Sequence, residues 1–275
     1  MLTHPLLPKL RQLKLAGMLQ TLEARSALAQ ENKLSPVEFL AILLDDEIDR
    51  RERTRLLRQE KEAGFEAPRF LSQFDFSAVP TLSRSLVLQM ATCVFVAAHE
   101  NWLLHGPSGV GKSHVATAVG HEAIRLGYST LSVCTHRLLN DLYAARADGT
   151  YARRLKKLVS VDLLILDDFG LRPVTATGAE DLYELIHHRY EKGSILLTSN
   201  RHPSEWAELF GNELLASAAL DRLTHHAHVT QITGESYRQR ERKQRILQSD
   251  STDVSLRNET PDPSVLKRPT EEPSL

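Results

Sequence analysis

Cysteine is nearly missing from this chain: Cys93 and Cys134 are the only two in 275 residues. They stand far apart, with no Cys-x-x-Cys or metal-ligand spacing, which excludes a disulfide framework and a thiolate metal site. Both lie among apolar neighbours and are expected to be buried thiols. Long apolar runs are missing too. Nothing approaches the roughly 20 residues that span a bilayer, and Met1-Leu2-Thr3-His4-Pro5 lacks the charged-then-apolar-then-small order of a secretory leader. A cytoplasmic protein without a membrane partner is expected. Nor does charge of one sign dominate. Thirty-four Lys and Arg against 35 Asp and Glu leave a formal net charge of -1, which excludes a globally basic nucleic-acid coat but permits a local basic stripe. The hydrophobic content, 41%, is that of an ordinary globular protein, and the length suffices for one large core and a smaller second unit.

What is present centres on Gly106-Pro107-Ser108-Gly109-Val110-Gly111-Lys112-Ser113, which fits G-x-x-x-x-G-K-[ST], the loop that holds the phosphates of ATP or GTP. The run Asn101–His105 before it reads as a buried strand. Helical spacing follows at Val115, Val119, Ala123 and Leu126 until Gly127. The glycines let successive backbone N–H groups and a helix N-terminus point at phosphates. Lys112 supplies charge to the β and γ oxygens, and Ser113 a hydroxyl for Mg2+. A second strand over Ser129–Cys134 and a third, Val161-Asp162-Leu163-Leu164-Ile165-Leu166, continue the α/β alternation. The third delivers Asp167 and Asp168 at its carboxyl end, where ligands of a parallel sheet bind. That position suits Asp167 to the metal and Asp168 to the attacking water. A fourth strand, Ser194–Ser199, ends in Asn200, whose amide suits orienting that water. His228–Ile232 reads as a fifth strand.

Elsewhere the chain is less specific. Leu15, Met18, Leu19 and Leu22 share a helical face, and Ser35-Pro36-Val37-Glu38 is a capping box with proline in the first turn. The helix it opens runs through a densely charged stretch to about Gly64. Residues 1–66 are therefore expected to form a small helical domain, either a packing module or a docking module for a partner or DNA. Phe65, Phe70, Phe74 and Phe76, with Pro68 and Pro80, suggest that residues 67–80 strap this unit onto the next, their rings plugging a core rather than stacking on bases. Residues 82–98 read as one apolar helix. Thr177-Gly178-Ala179-Glu180 reads as another capping box. The segment Arg153-Arg154-Leu155-Lys156-Lys157 packs four cations into five positions without an acid, which is either a solvated face or a DNA contact. His225, His226 and His228 invite a metal, but no acid or cysteine is expected to complete a plausible set. Past Tyr237 a basic helix is expected, then a disordered tail rich in serine, proline and charge, together spanning 241–275.

Gly106 to His114, Leu166-Asp167-Asp168-Phe169-Gly170, Arg189-Tyr190, Thr198-Ser199-Asn200 with Trp206, Asp221-Arg222-Leu223 and Gly234-Glu235-Ser236-Tyr237-Arg238 together resemble the IstB family, relatives of the DnaC helicase loaders. The resemblance covers residues 5 to 240 or so. It implies an AAA+ P-loop core over residues 67–240 with a five-stranded parallel sheet in the order 5-1-4-3-2. It also implies an ATPase using ATP and Mg2+ that forms a homo-oligomeric ring or spiral on duplex DNA and assists the transposase of its own insertion sequence. On that likeness Gly106, Pro107, Ser108, Gly109, Val110, Gly111, Lys112, Ser113 and His114 bind nucleotide. Ser113 and Asp167 hold the metal, Asp167 and Asp168 form the Walker B pair, Asn200 matches sensor one, and Arg222 matches the arginine finger. Many AAA+ proteins carry glutamate where this chain has Asp168, a methylene shorter, so slow hydrolysis is expected; the chain after the core is also short for a full helical lid. A helicase loader is the neighbouring alternative. A P-loop metabolite kinase is the alternative of another class, opposed by Asn200 and Arg222 and by the lack of an evident acceptor pocket.

Overall fold

The computed structural model describes residues 6–237, 239, 240 and 242. Five strands, β1 (Asn101–His105), β2 (Thr130–Cys134), β3 (Leu163–Phe169), β4 (Ser194–Ser199) and β5 (Ala227–Gln231), form one sheet in the order β2-β3-β4-β1-β5 with every pairing parallel. Read from the opposite edge this is the expected 5-1-4-3-2. A parallel sheet needs cover on both faces, and the central strands have the side chains for it. All five residues of β1 and all six of β4 are buried.

One face packs against α7 (Thr135–Ala147), α8 (Tyr151–Ser160), α9 (Ala176–Arg189) and α10 (Glu213–His225) through Leu138, Leu142, Leu158, Leu182, Leu185 and Leu223. The other packs against α4 (Arg84–Ala91), α5 (Val94–Ala97) and α6 (Lys112–Arg125) through Val87, Phe95, Val115 and Val119. Each such side chain contributes roughly 1.5–3 kcal/mol when fully buried, so these two faces carry most of the fold's stability.

Ahead of the sheet stand α1 (Leu6–Gln12), α2 (Ala16–Glu31) and α3 (Pro36–Ala63). They hold a small apolar cluster of their own, Met18, Leu22 and Leu43, backed by Leu7, Leu10, Leu15 and Phe39. The capping box forms as the sequence suggests: the Ser35 hydroxyl accepts from the Glu38 amide and the Glu38 carboxylate accepts from the Ser35 amide. At its far end α3 stops at Gly64 in the left-handed conformation (φ 73°). There Glu60 meets His121 of α6, and Glu66 just beyond pairs with Arg137 of α7.

Four local expectations are corrected. Residues 82–98 form two helices, because Cys93 adopts φ 55° and breaks the run between α4 and α5. The cap of α9 is Thr175, whose hydroxyl accepts from the Gly178 amide, while Thr177 is already inside the helix. Cys93 is buried, and that burial raises its thiol to about 11, but Cys134 at the end of β2 is only half-buried. Leu126, expected on the inner face of α6, is exposed. Beyond Arg242 the expected basic helix and tail lie outside the described residues.

Candidate nucleotide site

β1 ends at the carboxyl edge of the sheet, and the chain then turns through three glycines with positive φ before entering α6. Gly106 is demanded by space as well as by its φ of 147°: a Cβ there would lie 1.9 Å from the Ile232 carbonyl oxygen. Gly111 (φ 96°) is the N-cap of α6, and a Cβ would press against the Phe74 ring at 2.7 Å. The loop is thus pinned from both sides, and the first turn of α6 faces into it. Lys112 is only 5% exposed. Its ammonium donates to the carbonyls of Gly106 (2.8 Å) and Pro107 (2.7 Å) and to Asn200 Oδ1 (2.6 Å). Burial lowers the lysine pKa, and Asp168 and Asp167 act to raise it. An ammonium on a helix N-terminus between two carboxylates is a site arranged around an anion.

The carboxylates come from the end of β3. The Ser113 hydroxyl donates to Asp167 Oδ1 at 2.8 Å, and the Thr198 hydroxyl on β4 donates to the same oxygen. Thr198 also accepts from the Asp168 amide at 3.1 Å. The β3–β4 register slips between Leu166 and Phe169, and Asp168 takes φ 55°. Left-handed backbone at a non-glycine residue persists only where its surroundings impose it. Here one buried hydroxyl does so, holding the side chain of one aspartate and the backbone of the next.

Ser108 to His114, Asp167, Asp168 and Asn200 line a single cavity of about 630 Å3. Gly106 and Pro107 do not line it; they back the loop and hold Lys112 through their carbonyls. Val110 turns its side chain into the core. His114 is half-buried, bonded to the Phe70 carbonyl (3.1 Å) and edge-on to Phe74.

Sequence alone does not single out several residues that build the site. Thr198 stands in the Thr198-Ser199-Asn200 motif, and only the fold gives it a role. Within residues 67–80, Phe74 and Phe76 pack against the core while Phe70 stays exposed. The same stretch also walls the cavity through Arg69, Phe74, Asp75 and Val79. Tyr237 closes another side, its amide donating to the Gly109 carbonyl (3.0 Å), and Arg240 ties that segment to Asp75 at 2.7 Å. The density of phenylalanines is the one sequence signal for the wall.

Other candidates lie elsewhere. Arg222 sits in the last turn of α10, whose end is fixed to the start of β1 by the Asn101 side-chain amide (Nδ2) donating to the Leu223 carbonyl (2.9 Å). That is the amino edge of the sheet, opposite the cavity. Its guanidinium donates to the Ala218 carbonyl (2.6 Å) and lies 5.6 Å from the centre of the Tyr183 ring. Arg153, Arg154, Lys156 and Lys157 are all exposed on α8, and among the described residues none lies in ion-pair range of a carboxylate. Arg153, Arg154 and Lys157 rim a second cavity of about 500 Å3 that shares Asp167 and Ser132 with the first. The expectation that no acid completes the histidine set is overturned: folding brings Glu191 to His225 and His226, whereas His228 pairs with Glu100 at 2.7 Å.

A parallel sheet in this order, with a phosphate loop after its first strand and paired aspartates after its third, defines a P-loop ATPase of the AAA+ class. The chain belongs to the family of IstB-like ATP binding proteins, whose model matches residues 8–245. It is 44% identical over 234 residues to an ATP-binding protein in an insertion sequence of Mycobacterium tuberculosis, covering 85% of this chain and 93% of that one. It is 37% identical over 253 residues to the IS21 insertion-sequence ATP-binding protein of Pseudomonas aeruginosa, covering 92% and 96%. Among solved structures, DnaI superposes with a TM-score of 0.53 at 24% identity, over 62% of this chain and 96% of that chain. AMPPCP-bound DnaA from Aquifex aeolicus gives 0.51 at 21%, over 67% and 56%. These two likenesses show the fold. Among the described residues no helix is long and apolar enough to cross a membrane.

Proposed function

We propose that this ATPase assembles as an ATP-dependent homo-oligomer on duplex DNA and assists the transposase of its own insertion sequence. The relatives' place in insertion sequences supports the second half. The observation that carries the first half is α8. Its four cations are exposed, while Leu158 buries the opposite side of the helix in the core. A chain of net charge -1 needs such local concentration to hold a phosphate backbone.

Within the cavity, Lys112 and the loop amides take the nucleotide phosphates. The Ser113 hydroxyl and the Asp167 carboxylate are adjacent hard oxygens that fit Mg2+, which would neutralise charge on the phosphates. Asp168 serves as acceptor for the proton of the attacking water, and Asn200, once Lys112 turns to phosphate, orients that water. Arg222 acts on the nucleotide of a neighbouring copy. Residues 1–66 form a helical domain ahead of the ATPase domain.

The DNA assignment is tested by replacing Arg153 and Arg154 with alanine and measuring duplex affinity against salt. Binding should weaken on all sequences alike, and the log-log slope should fall by about 0.9 for each DNA phosphate that the variant no longer neutralises. ATP turnover without DNA should persist. An unchanged slope would move the DNA-binding surface to the N-terminal helices or to residues beyond Tyr237.

A further inference from the structure

At the amino edge of the sheet, away from the nucleotide cavity, three exposed side chains converge from two elements distant in sequence. Glu191 lies in the turn between α9 and β4, and His225 and His226 end α10. One donor atom from each lies within 4.8 Å of the other two, the one such trio of histidine, cysteine or carboxylate residues among the described residues. One pair of them, His226 Nε2 and Glu191 Oε1, is 3.6 Å apart. Two ligands of a tetrahedral zinc ion with bonds of about 2.0–2.1 Å stand about 3.3 Å from each other. That pair is only slightly wider than a zinc site needs, and all three side chains are exposed at the surface, where small rotations can bring the donor atoms together.

A neighbouring hydroxyl holds one of the ligands, and the two nearby arginines are engaged elsewhere. The Tyr190 hydroxyl sits 2.8 Å from His225 Nδ1, the kind of outer contact that orients a ligating imidazole. Arg222, one turn back on α10, directs its guanidinium to the Ala218 carbonyl and the Tyr183 ring. Buried Arg189 directs its two terminal guanidinium nitrogens to the carbonyls of Leu158, Val161 and Ser194. Glu191 also holds φ 58° at the third position of a turn closed by the Lys192 amide on the Arg189 carbonyl, a position that glycine or asparagine ordinarily fills.

We infer that Glu191, His225 and His226 form a surface site for a divalent transition metal, zinc by its nitrogen and oxygen donor set, with water completing the coordination. The ion bridges the α9–β4 turn to the end of α10. Bound there, it clamps the helical turn that carries Arg222. The site is independent of the nucleotide cavity and of any role given to Arg222 or α8.

The test uses the untagged full-length chain without nucleotide. Zinc is titrated against a chromophoric chelator, and cobalt is used as a spectroscopic stand-in. One zinc per chain and visible cobalt bands of a low-coordinate site are expected. Glu191→Gln and the double variant His225→Ala/His226→Ala should each weaken zinc binding by about tenfold or more and abolish the cobalt bands, with Tyr190→Phe giving a smaller loss. His228→Ala should bind as the parent does. All of the replaced positions are exposed or half-buried, and unchanged circular dichroism would confirm folding. Equal zinc affinity in the parent and the double variant, or no binding by the parent at about 0.1 mM zinc, would overturn the site.

Discussion

Lys112 and Asp168 face the same cavity, yet their chemistry separates them. In the proposed function the lysine offers positive charge to phosphates already present in the ground state, whereas the aspartate acts on a water that reacts only during hydrolysis. Lys112→Ala should therefore abolish tight ATP binding. Asp168→Asn should leave affinity within a few-fold and remove turnover, because the amide keeps the size of the carboxylate but loses its basicity. Equilibrium binding of a fluorescent ATP analogue, measured beside phosphate release, checks both. Similar loss of affinity in the two variants would sink the division of roles. Asparagine is the informative replacement at Asp168, because the Thr198 hydroxyl holds that residue through its backbone amide, a contact the substitution leaves in place.

Among the elements, the joint between α2 and α3 depends on one buried carboxylate. Glu47 is 3% exposed. It accepts from the Gly17 amide and from Arg50 and Arg51, and Gly17 has no room for a Cβ because the Asp46 carbonyl oxygen would lie 2.7 Å away. Burial alone would raise the Glu47 pKa, but the bonds from Arg50, Arg51 and Gly17 outweigh it and bring it from 4.5 to about 2. A carboxylate lowered in this way stabilises the fold above its unfolded pKa, and that stability is lost as pH falls from 4.5 toward 2. Glu47→Gln should therefore loosen α2 against α3 at pH 7 by roughly 2 kcal/mol, seen as about thirtyfold faster exchange of the Gly17 amide. The difference between variant and parent should shrink below about pH 4.5. A gap that stays constant down to about pH 3 would assign the effect to packing instead of charge.

For the whole molecule, the placement of Arg222 has the largest consequence. It stands at the amino edge of the sheet, and the chain's own Lys112, Asp167 and Asp168 stand at the carboxyl edge. In the proposed assembly an arginine so placed would reach a γ-phosphate only in another copy. Arg222→Ala should bind ATP as the parent does but lose turnover and assembly. Mixing it with Asp168→Asn subunits should recover part of the activity, since some interfaces then pair an intact arginine with an intact Asp168. Phosphate release across mixing ratios is the measurement, and no recovery at any ratio would remove the case for action between subunits. The zinc clamp inferred beside Arg222 is tested separately, by binding alone.

The phosphate loop and the Asp167-Asp168 pair were legible in the chain itself, because each is written in contiguous residues: glycine spacing sets a loop and an apolar run sets a strand. The capping box at Ser35 was legible for the same reason, its partners being three residues apart. The order of the sheet, a relation between distant strands, followed only from the likeness to the IstB family. What joins residues distant in sequence was decided only by folding. Thr198 meets Asp167 and Asp168 because β3 and β4 are neighbours, and Tyr237 reaches Gly109 because β5 lies beside β1. Phe74 serves as a cavity wall only because it packs on Gly111. Glu191 joins His225 and His226 across more than thirty residues, and no local spacing encodes that meeting. The cap of α9 falls at Thr175 rather than Thr177 for a related reason: a capping pattern marks where a helix can begin, and the extended backbone arriving at Thr175 decides which threonine is used.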